Sequence, residues 1–249
     1  MTTHVTAGLT DTDVQTYRDQ GFLILDALTT PDEVLALQDI YDRLFDPDAE
    51  IGEGDRLELA GDEGAPPVLP QILNPDHYAP ELRETQAYRN AGEIARRLLG
   101  DDVRPMGMHA IRKPPRDGGE TPWHQDEAYW DPAMHHEAIS VWMPLQPATI
   151  DNGCMQFVPG SHLDGVHEHR LINPESHGLV LTDLGAVVDP APCPLPPGGA
   201  TVHSGRTVHY AGPNTTDEPR RALIMAFARE PQPLAEARDF FWQRPEWSE

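Results

Sequence analysis

The sequence predicts a mainly β protein, an antiparallel sandwich or barrel with helices gathered ahead of it and packed outside. Three observations carry that expectation. Beyond residue 100, short apolar runs at 103–111, 138–145, 155–158, 186–188, 200–203 and 222–228 alternate with Pro/Gly turns, the texture of short strands on tight connections. Helical periodicity is confined to the first 100 residues. No internal repeat and no linker divides the chain, so its 249 residues read as one domain, mainly helical over 1–100 and β over 101–230.

Taken in order, residues 11–20 suit a short helix stopped by Gly21, and Phe22-Leu23-Ile24-Leu25 follows as a buried strand. Thr30-Pro31-Asp32-Glu33 supplies an N-cap, a proline at the first helical position and a capping-box acid. Val34, Leu37, Ile40, Tyr41 and Leu44 then recur at helical spacing, which predicts a helix over about 31–45. Residues 46–70 break the pattern with acidic residues, glycines and prolines, and read as a loop or flap. Leu82, Tyr88, Ala91, Ala95 and Leu98 share one face of a second helix over about 80–99, closed by Gly100.

Charge excludes several function classes. Forty-one acidic residues against 18 basic ones give a formal net charge of −23, and Lys113 is the only lysine. Such a surface repels phosphate backbones and anionic bilayers at long range, so neither nucleic acid nor membrane is an expected partner. No apolar run reaches the roughly 18 residues of a membrane span. The first residues lack the basic and apolar regions of a secretory signal, and Cys154 and Cys193 form no C-x-x-C pattern. The expectation is a cytoplasmic protein in a reducing compartment, with no disulfide framework. Oligomeric state is not legible.

The chemistry gathers around Trp123-His124-Gln125-Asp126, which follows the turn Lys113-Pro114-Pro115-Arg116-Asp117-Gly118-Gly119. In an extended strand alternate side chains share a face, so His124 and Asp126 project together. An imidazole nitrogen and a carboxylate oxygen side by side are two of the three ligands of a 2-His-1-carboxylate triad, which leaves one face of an octahedral Fe(II) open. Two histidines farther along, His203 and His209, are candidates for the third position. A tight turn after His209 would return the chain so that Arg220 lies beside it on an antiparallel neighbour. A fixed guanidinium there suits a dicarboxylate cosubstrate, which chelates the metal at one end and pairs with arginine at the other.

These residues, with others in the same order, resemble the phytanoyl-CoA dioxygenase family of Fe(II)/2-oxoglutarate-dependent oxygenases. The likeness runs through Gly21-Phe22, the 30–45 helix, Lys113-Pro114-Pro115, Trp123-His124-Gln125-Asp126 and Trp142. It continues through Asn152-Gly153-Cys154, Pro159-Gly160-Ser161-His162, Pro197-Gly198-Gly199, His209 with Gly212 and Asn214, and Arg220. The resemblance implies a double-stranded β-helix core (a cupin-like jelly roll) and, as cofactors, Fe(II), 2-oxoglutarate and O2. It implies His124, Asp126 and His209 as the iron ligands and Trp142 as an aromatic beside the cosubstrate. Arg220, eleven positions after His209, becomes the 2-oxoglutarate-binding arginine, with Arg221 a structural neighbour. Hydroxylation is the default reaction so implied; cyclisation, epimerisation or desaturation of a small molecule are open to the same chemistry. Two positions depart from the family: Ala211 where many members carry serine, and His109 where methionine is common.

Other readings stand beside these. The same ligands on a jelly roll suit Zn or Mn in an isomerase or hydrolase, or a binding protein without oxygenase activity. Arg220 separates the classes, since a non-oxygenase has no use for it; its own alternative is a structural ion pair. Trp142 serves equally as core packing. His135, His136, His167, His169 and His177 read as exposed loop residues near the mouth, His162 as part of a turn, and Cys154 as a small buried apolar residue. Lys113 reads as a turn residue at a strand end or as a cationic contact for an anionic substrate. One lysine, with Arg96-Arg97 on a helix and Arg220-Arg221 at the cosubstrate, argues against a CoA ester. The expected substrate is a free small molecule, neutral or weakly charged, such as a bacterial secondary metabolite or its precursor.

Overall fold

The computed structural model describes residues 8–59, 67–116, 118–172 and 178–244. The first elements form where the sequence places their caps. Thr10 and Asp13 exchange side-chain and backbone hydrogen bonds in a capping box that opens α1 (Asp11–Gln20), and Gly21, left-handed at φ 82°, ends it. β1 (Phe22–Leu25) follows directly. Thr30 caps α2 (Pro31–Leu44), which turns Val34, Leu37, Tyr41 and Leu44 inward.

The 46–70 segment is not all loop. Arg56–Glu58 forms β2, paired antiparallel with β3 (Pro70–Leu73), while residues 60–66 lie outside the described residues. β2 is only three residues long, too short for an alternating pattern to mark it in sequence. The helix expected over 80–99 is divided. After α3 (Pro75–Tyr78), Pro80–Glu84 forms a 3-10 turn, and Thr85 then recaps α4 (Gln86–Leu99) by accepting the N–H of Tyr88. Thr85 takes an extended backbone to do so, and that ends helical continuity.

The remaining strands are β4 (Arg104–Lys113), β5 (Thr121–His124), β6 (Met134–His135), β7 (Ala138–Pro144), β8 (Met155–Phe157), β9 (His169–Leu171) and β10 (Leu179–Leu181). They continue with β11 (Ala191–Cys193), β12 (Ala200–Ser204), β13 (His209–Ala211), β14 (Arg220–Ala228) and β15 (Gln232–Pro233). A seven-stranded sheet in the order β1-β12-β7-β14-β4-β3-β2 and a four-stranded sheet, β11-β8-β13-β5, form the two layers of the jelly roll. Three strands of the larger sheet come from the first 100 residues, so the N-terminal part belongs to the core as well as covering it. The strand expected at 186–188 is not formed. Leu184–Ala186 is a 3-10 turn, and β11 takes the edge beside β8 despite Pro192. An edge strand tolerates proline because the missing N–H can face away from the ladder.

Period-2 alternation sorts the large sheet. Leu223, Met225 and Phe227 of β14 join Val141, Met143 and Val202 in the core shared with α1, α2 and α4. The intervening Ala222 and Trp142 meet Phe22, Met155, Phe157 and Cys154 in a second core between the sheets. The same period decides the arginine pair. Arg220 falls with the interior set and is 1% exposed, whereas Arg221 turns to α2, where Asp42 takes it bidentately at 2.7 and 2.9 Å.

At one end of the roll, the wholly buried Lys113 donates to the carbonyls of Gly119 (2.7 Å), Ala211 (2.9 Å) and Gly212 (2.6 Å). Asn214 Nδ2 bonds back to the carbonyls of Lys113, Pro114 and Glu218. Gly153, at φ +83°, lets the β7–β8 connection lie against this clamp; a Cβ there would stand 2.2 Å from the Gly212 carbonyl oxygen. Lys113 does stand at a strand end, the last residue of β4, but its buried ammonium is spent on backbone carbonyls and not on a substrate. It ties β4 of the large sheet to β13 of the small one. Replacing it by methionine leaves the carbonyls without donors, so Lys113→Met should lower the unfolding free energy in urea by roughly 2–4 kcal/mol. Unchanged stability would show that the clamp is dispensable.

Candidate metal centre

β5 and β13 pair with His124 directly opposite His209, and the two rings lie 4.1 Å apart between centroids. His124 Nδ1 donates to the Pro122 carbonyl at 2.8 Å and His209 Nδ1 to the Thr207 carbonyl at 2.9 Å. A carbonyl can only accept, so both rings carry their proton on Nδ1 and present an Nε2 lone pair. Gln125 continues the extended backbone. Asp126 then opens a 3-10 turn (Asp126–Tyr129) and sets Oδ1 3.7 Å from His124 Nε2 and 3.5 Å from His209 Nε2. One ligand atom from each residue lies within 4.8 Å of the others. Separations of 3.5 and 3.7 Å are ones that a single ion with bonds of about 2 Å can bridge.

The electrostatics suit a divalent cation. Burial opposes ionisation of Asp126, but the imidazoles of His209, His124 and His203 outweigh it and hold the carboxyl well below the usual carboxylate range. Burial, reinforced by His124, keeps His209 neutral. The set thus places an anionic oxygen beside two imidazole Nε2 atoms, that of His209 held neutral. The Asp126 side chain stays 25% exposed, so the centre is open on that side.

Arg220 is buried between the sheets, its guanidinium 5.4 Å from the centroid of the Trp142 ring. Its Nε and Nη1 have no hydrogen-bond partner, and no ion pair involves it among the described residues. Burial lowers its pKa to about 10, which leaves it cationic at neutral pH. The Thr201 hydroxyl, in register with Trp142, is also buried without a partner. Buried unpaired groups of this kind are costly, and an anionic ligand reaching from the metal ligands toward Arg220 would satisfy them. A dicarboxylate fits that description. His203, the other histidine considered for the third position, lies beside the three ligands, with Nε2 3.5 Å from Asp126 Oδ2. Ala211 offers only its carbonyl, which Lys113 takes, and His109 Nδ1 is engaged by Gln71 at 2.8 Å.

Sequence reasoning missed the groups that hold the ligand-bearing turn. Gln125 is wholly buried: its side-chain amide donates to the carbonyls of Gly165 (2.7 Å) and Arg206 (2.6 Å) and accepts the His167 N–H (2.7 Å). Its backbone N–H donates to His169 Nε2 at 3.1 Å, and His169 Nδ1 donates to the His167 carbonyl at 2.8 Å. His169 is accordingly buried, contrary to the exposure expected of it. Glu127, 1% exposed, is gripped by Arg206 (2.9 Å) and Arg238 (2.6 Å), and Trp242 Nε1 donates to the Ala128 carbonyl (3.0 Å). No local signal could have found these partners, because each is remote in sequence. Of the other histidines, His135, His136 and His167 are half-buried, and His162 bonds the Arg18 carbonyl of α1. His177 lies outside the described residues.

Burial depresses the His169 pKa to about 4 against an ordinary 6.5. As the pH falls the unfolded chain therefore takes up this proton first. The stability that neutral His169 contributes is complete above about pH 6.5 and is lost toward pH 4, roughly 3 kcal/mol in all. His169→Gln, which cannot titrate, should flatten the stability–pH profile over that window. A profile as steep as that of the unaltered protein would show that another group sets the slope.

The phytanoyl-CoA dioxygenase (PhyH) family model matches residues 17–222. The phytanoyl-CoA dioxygenase domain-containing protein 1 of Danio rerio is 26% identical, over 96% of this chain and 94% of that one. The crystal structure of EvdO2 from Micromonospora carbonacea var. aurantiaca, complexed with 2-oxoglutarate, is 40% identical, with 95% of this chain and 98% of that chain covered at a TM-score of 0.84. SnoK, a non-heme alpha-ketoglutarate-dependent carbocyclase from nogalamycin biosynthesis, is 25% identical, with coverage of 90% and 86% and a TM-score of 0.71. The family match covers β1 to β13, with every strand that carries a metal-ligand histidine, and the first residues of β14, Arg220 included. The chain belongs to the phytanoyl-CoA dioxygenase family.

Proposed function

We propose that this Fe(II)/2-oxoglutarate-dependent dioxygenase oxidises a small, neutral or weakly charged molecule of bacterial secondary metabolism, with residues 1–249 acting as one cytoplasmic domain. His124, Asp126 and His209 hold the iron, Arg220 takes the distal carboxylate of 2-oxoglutarate, and Trp142 lines the cosubstrate's path. The observation that carries this reading is the buried Arg220, with two unpartnered nitrogens, in the same inter-sheet space as the metal ligands. A zinc or manganese isomerase or hydrolase would leave that charge unanswered. Among the described residues no helix is long and apolar enough to cross a membrane.

Bound iron and 2-oxoglutarate supply O2 activation coupled to decarboxylation of the oxo acid to succinate and CO2. The chain supplies placement. His124 and His209, oriented by backbone carbonyls, would offer their Nε2 atoms on one side and Asp126 the negative charge, leaving the opposite side open. Phe22, Trp142 and Phe157 wall the inter-sheet space and keep water from it. Arg220, in that dry setting, orients a dicarboxylate by paired hydrogen bonds. The exposed side of Asp126 is where a substrate carbon approaches.

The substrate reading has two supports. SnoK acts in nogalamycin biosynthesis, which favours a secondary-metabolic setting. A CoA ester brings several phosphate charges, yet Lys113 is committed to three carbonyls, and Arg206 and Arg238 beside the metal turn are committed to Glu127.

Anaerobic addition of Fe(II) and 2-oxoglutarate should produce a visible charge-transfer absorption, and a colourless mixture would sink the oxygenase reading. Arg220→Ala should weaken 2-oxoglutarate binding by about 100-fold or more, the scale of a lost buried charge pair, while Fe(II) still binds. Arg221→Ala, whose partner is Asp42, should leave it nearly unchanged. An essential Arg221 would reverse the assignment. In a succinate assay, an acyl-CoA should be a poorer stimulant than its free acid or than unesterified metabolites; strong turnover with the thioester alone contradicts the substrate proposal.

A further inference from the structure

We infer that His203 is a positioning residue for the metal site: together with Ser140 it holds the outer oxygen of Asp126, so that the carboxylate meets an ion through Oδ1 alone. The inference rests on reading His124, Asp126 and His209 as the iron ligands.

His203 sits on β12 in register with Ser140 of β7 on one side and Phe22 of β1 on the other. The strand period sends its ring between the sheets, 2% exposed, where it lies 4.6 Å from the His209 ring and 5.0 Å from the Phe157 ring between centroids. Its Nε2 stands 3.5 Å from Asp126 Oδ2, and neither ring nitrogen has a hydrogen-bond partner. Ser140 Oγ donates to the same Oδ2 at 2.9 Å. Oδ1 is the oxygen that faces His124 and His209. The two oxygens of one carboxylate are therefore divided between ligand nitrogens and outer donors.

That division matters for the coordination sphere. A carboxylate that chelates uses two positions on a metal, and three positions stay open to ligands only if Asp126 uses one. Oδ2 has two lone pairs, and the Ser140 hydroxyl brings one hydrogen. His203 with its proton on Nε2 fills the second once the 3.5 Å gap closes slightly. Packing alone does not account for an imidazole here. A phenyl ring would fill the space beside Phe157 without burying two unsatisfied nitrogens, which is costly. His203 also approaches from the Oδ2 side, whereas His124 and His209 approach from the Oδ1 side. That places it outside the ligand set.

Metal binding can be read directly, by calorimetric titration of the anaerobic protein with Co(II), with circular dichroism confirming the fold. His203→Leu keeps the bulk and removes the donor; His203→Gln sets an amide N–H near the position of Nε2. His203→Leu should bind Co(II) about 10-fold more weakly, at the lower end of what losing an outer partner of a ligand costs, and His203→Gln should recover to within about threefold of the unaltered protein. Ser140→Ala should lose about as much as His203→Leu. Unchanged affinity in His203→Leu, or no recovery in His203→Gln, overturns the inference. Should His203→Leu fail to fold, Ser140→Ala and His203→Gln decide: full affinity in the first, or about 10-fold loss in the second, overturns it equally. A different result marks failure of the underlying reading: no stoichiometric Co(II) binding by the unaltered protein, or equal binding by Asp126→Ala, removes the triad and the inference with it.

Discussion

Two positive charges enter the protein interior as a cross-strand pair, Lys113 on β4 and Arg220 on β14. A buried charge left without partners costs more than any single packing contact returns, so each must be answered. Lys113 is answered by the backbone. Burial, with the nearby Arg220 charge, pushes its pKa well down, yet three carbonyls at 2.6–2.9 Å call for three N–H donors, which only the ammonium form has. The clamp joins the two sheets and sets where β13 runs, and β13 is what carries His209 to a position opposite His124. Among the described residues Arg220 receives no such answer: its Nε and Nη1 have no hydrogen-bond partner and it makes no ion pair, so its charge stays open to an anion.

The metal centre inherits its geometry from this arrangement and its rigidity from a second one. A three-residue stretch, Gln125 to Glu127, is gripped from four directions: by His169, by the backbone near Gly165 and His167, by Arg206 after β12, and by Arg238 in the C-terminal segment. A buried carboxylate such as Glu127 contributes little net stability even when well paired, because desolvation offsets most of the attraction. Its value lies in position. With Glu127 held from both sides, Asp126 has little freedom to swing away from the two imidazoles, and a ligand set held in advance loses less entropy when it binds.

Several features were legible in the sequence because they are local. The N-cap of α2 joins Thr30 and Glu33, three apart, although the Glu33 carboxylate goes to Gln86 and Ala87 instead of closing a capping box, and the ordinary helical period follows from chain geometry alone. His124 and Asp126 come together because Gln125 keeps the backbone extended past the end of β5, and strand alternation sends Arg220 inward and Arg221 outward once β14 is in place. The likeness of ordered motifs to one family extended this to the whole jelly roll. Where the reading failed, the deciding contacts were distant. β2 exists because β3 pairs with it, α4 starts at Gln86, where the distant Glu33 carboxylate of α2 accepts the N–H groups of Gln86 and Ala87, and β11 rather than 186–188 completes an edge because β8 lies beside it.

The sequence by itself determined which side chains have the chemistry to ligate a metal or pair with an anion, and in what order along the chain they come. Only the tertiary structure decided which of them meet. His203 and His209 are equally good ligands as residues, and both face the inter-sheet space. β13 pairs with β5 and brings His209 against His124, while β12 pairs with β7 and brings His203 against the far oxygen of Asp126. Lys113 and His169 look like surface residues in any local window, and their burial follows from carbonyls and an amide supplied by remote segments. Spacing along a chain constrains neighbours; which distant strands lie side by side depends on burying two sheets' worth of side chains at once, and no short stretch of sequence carries that information.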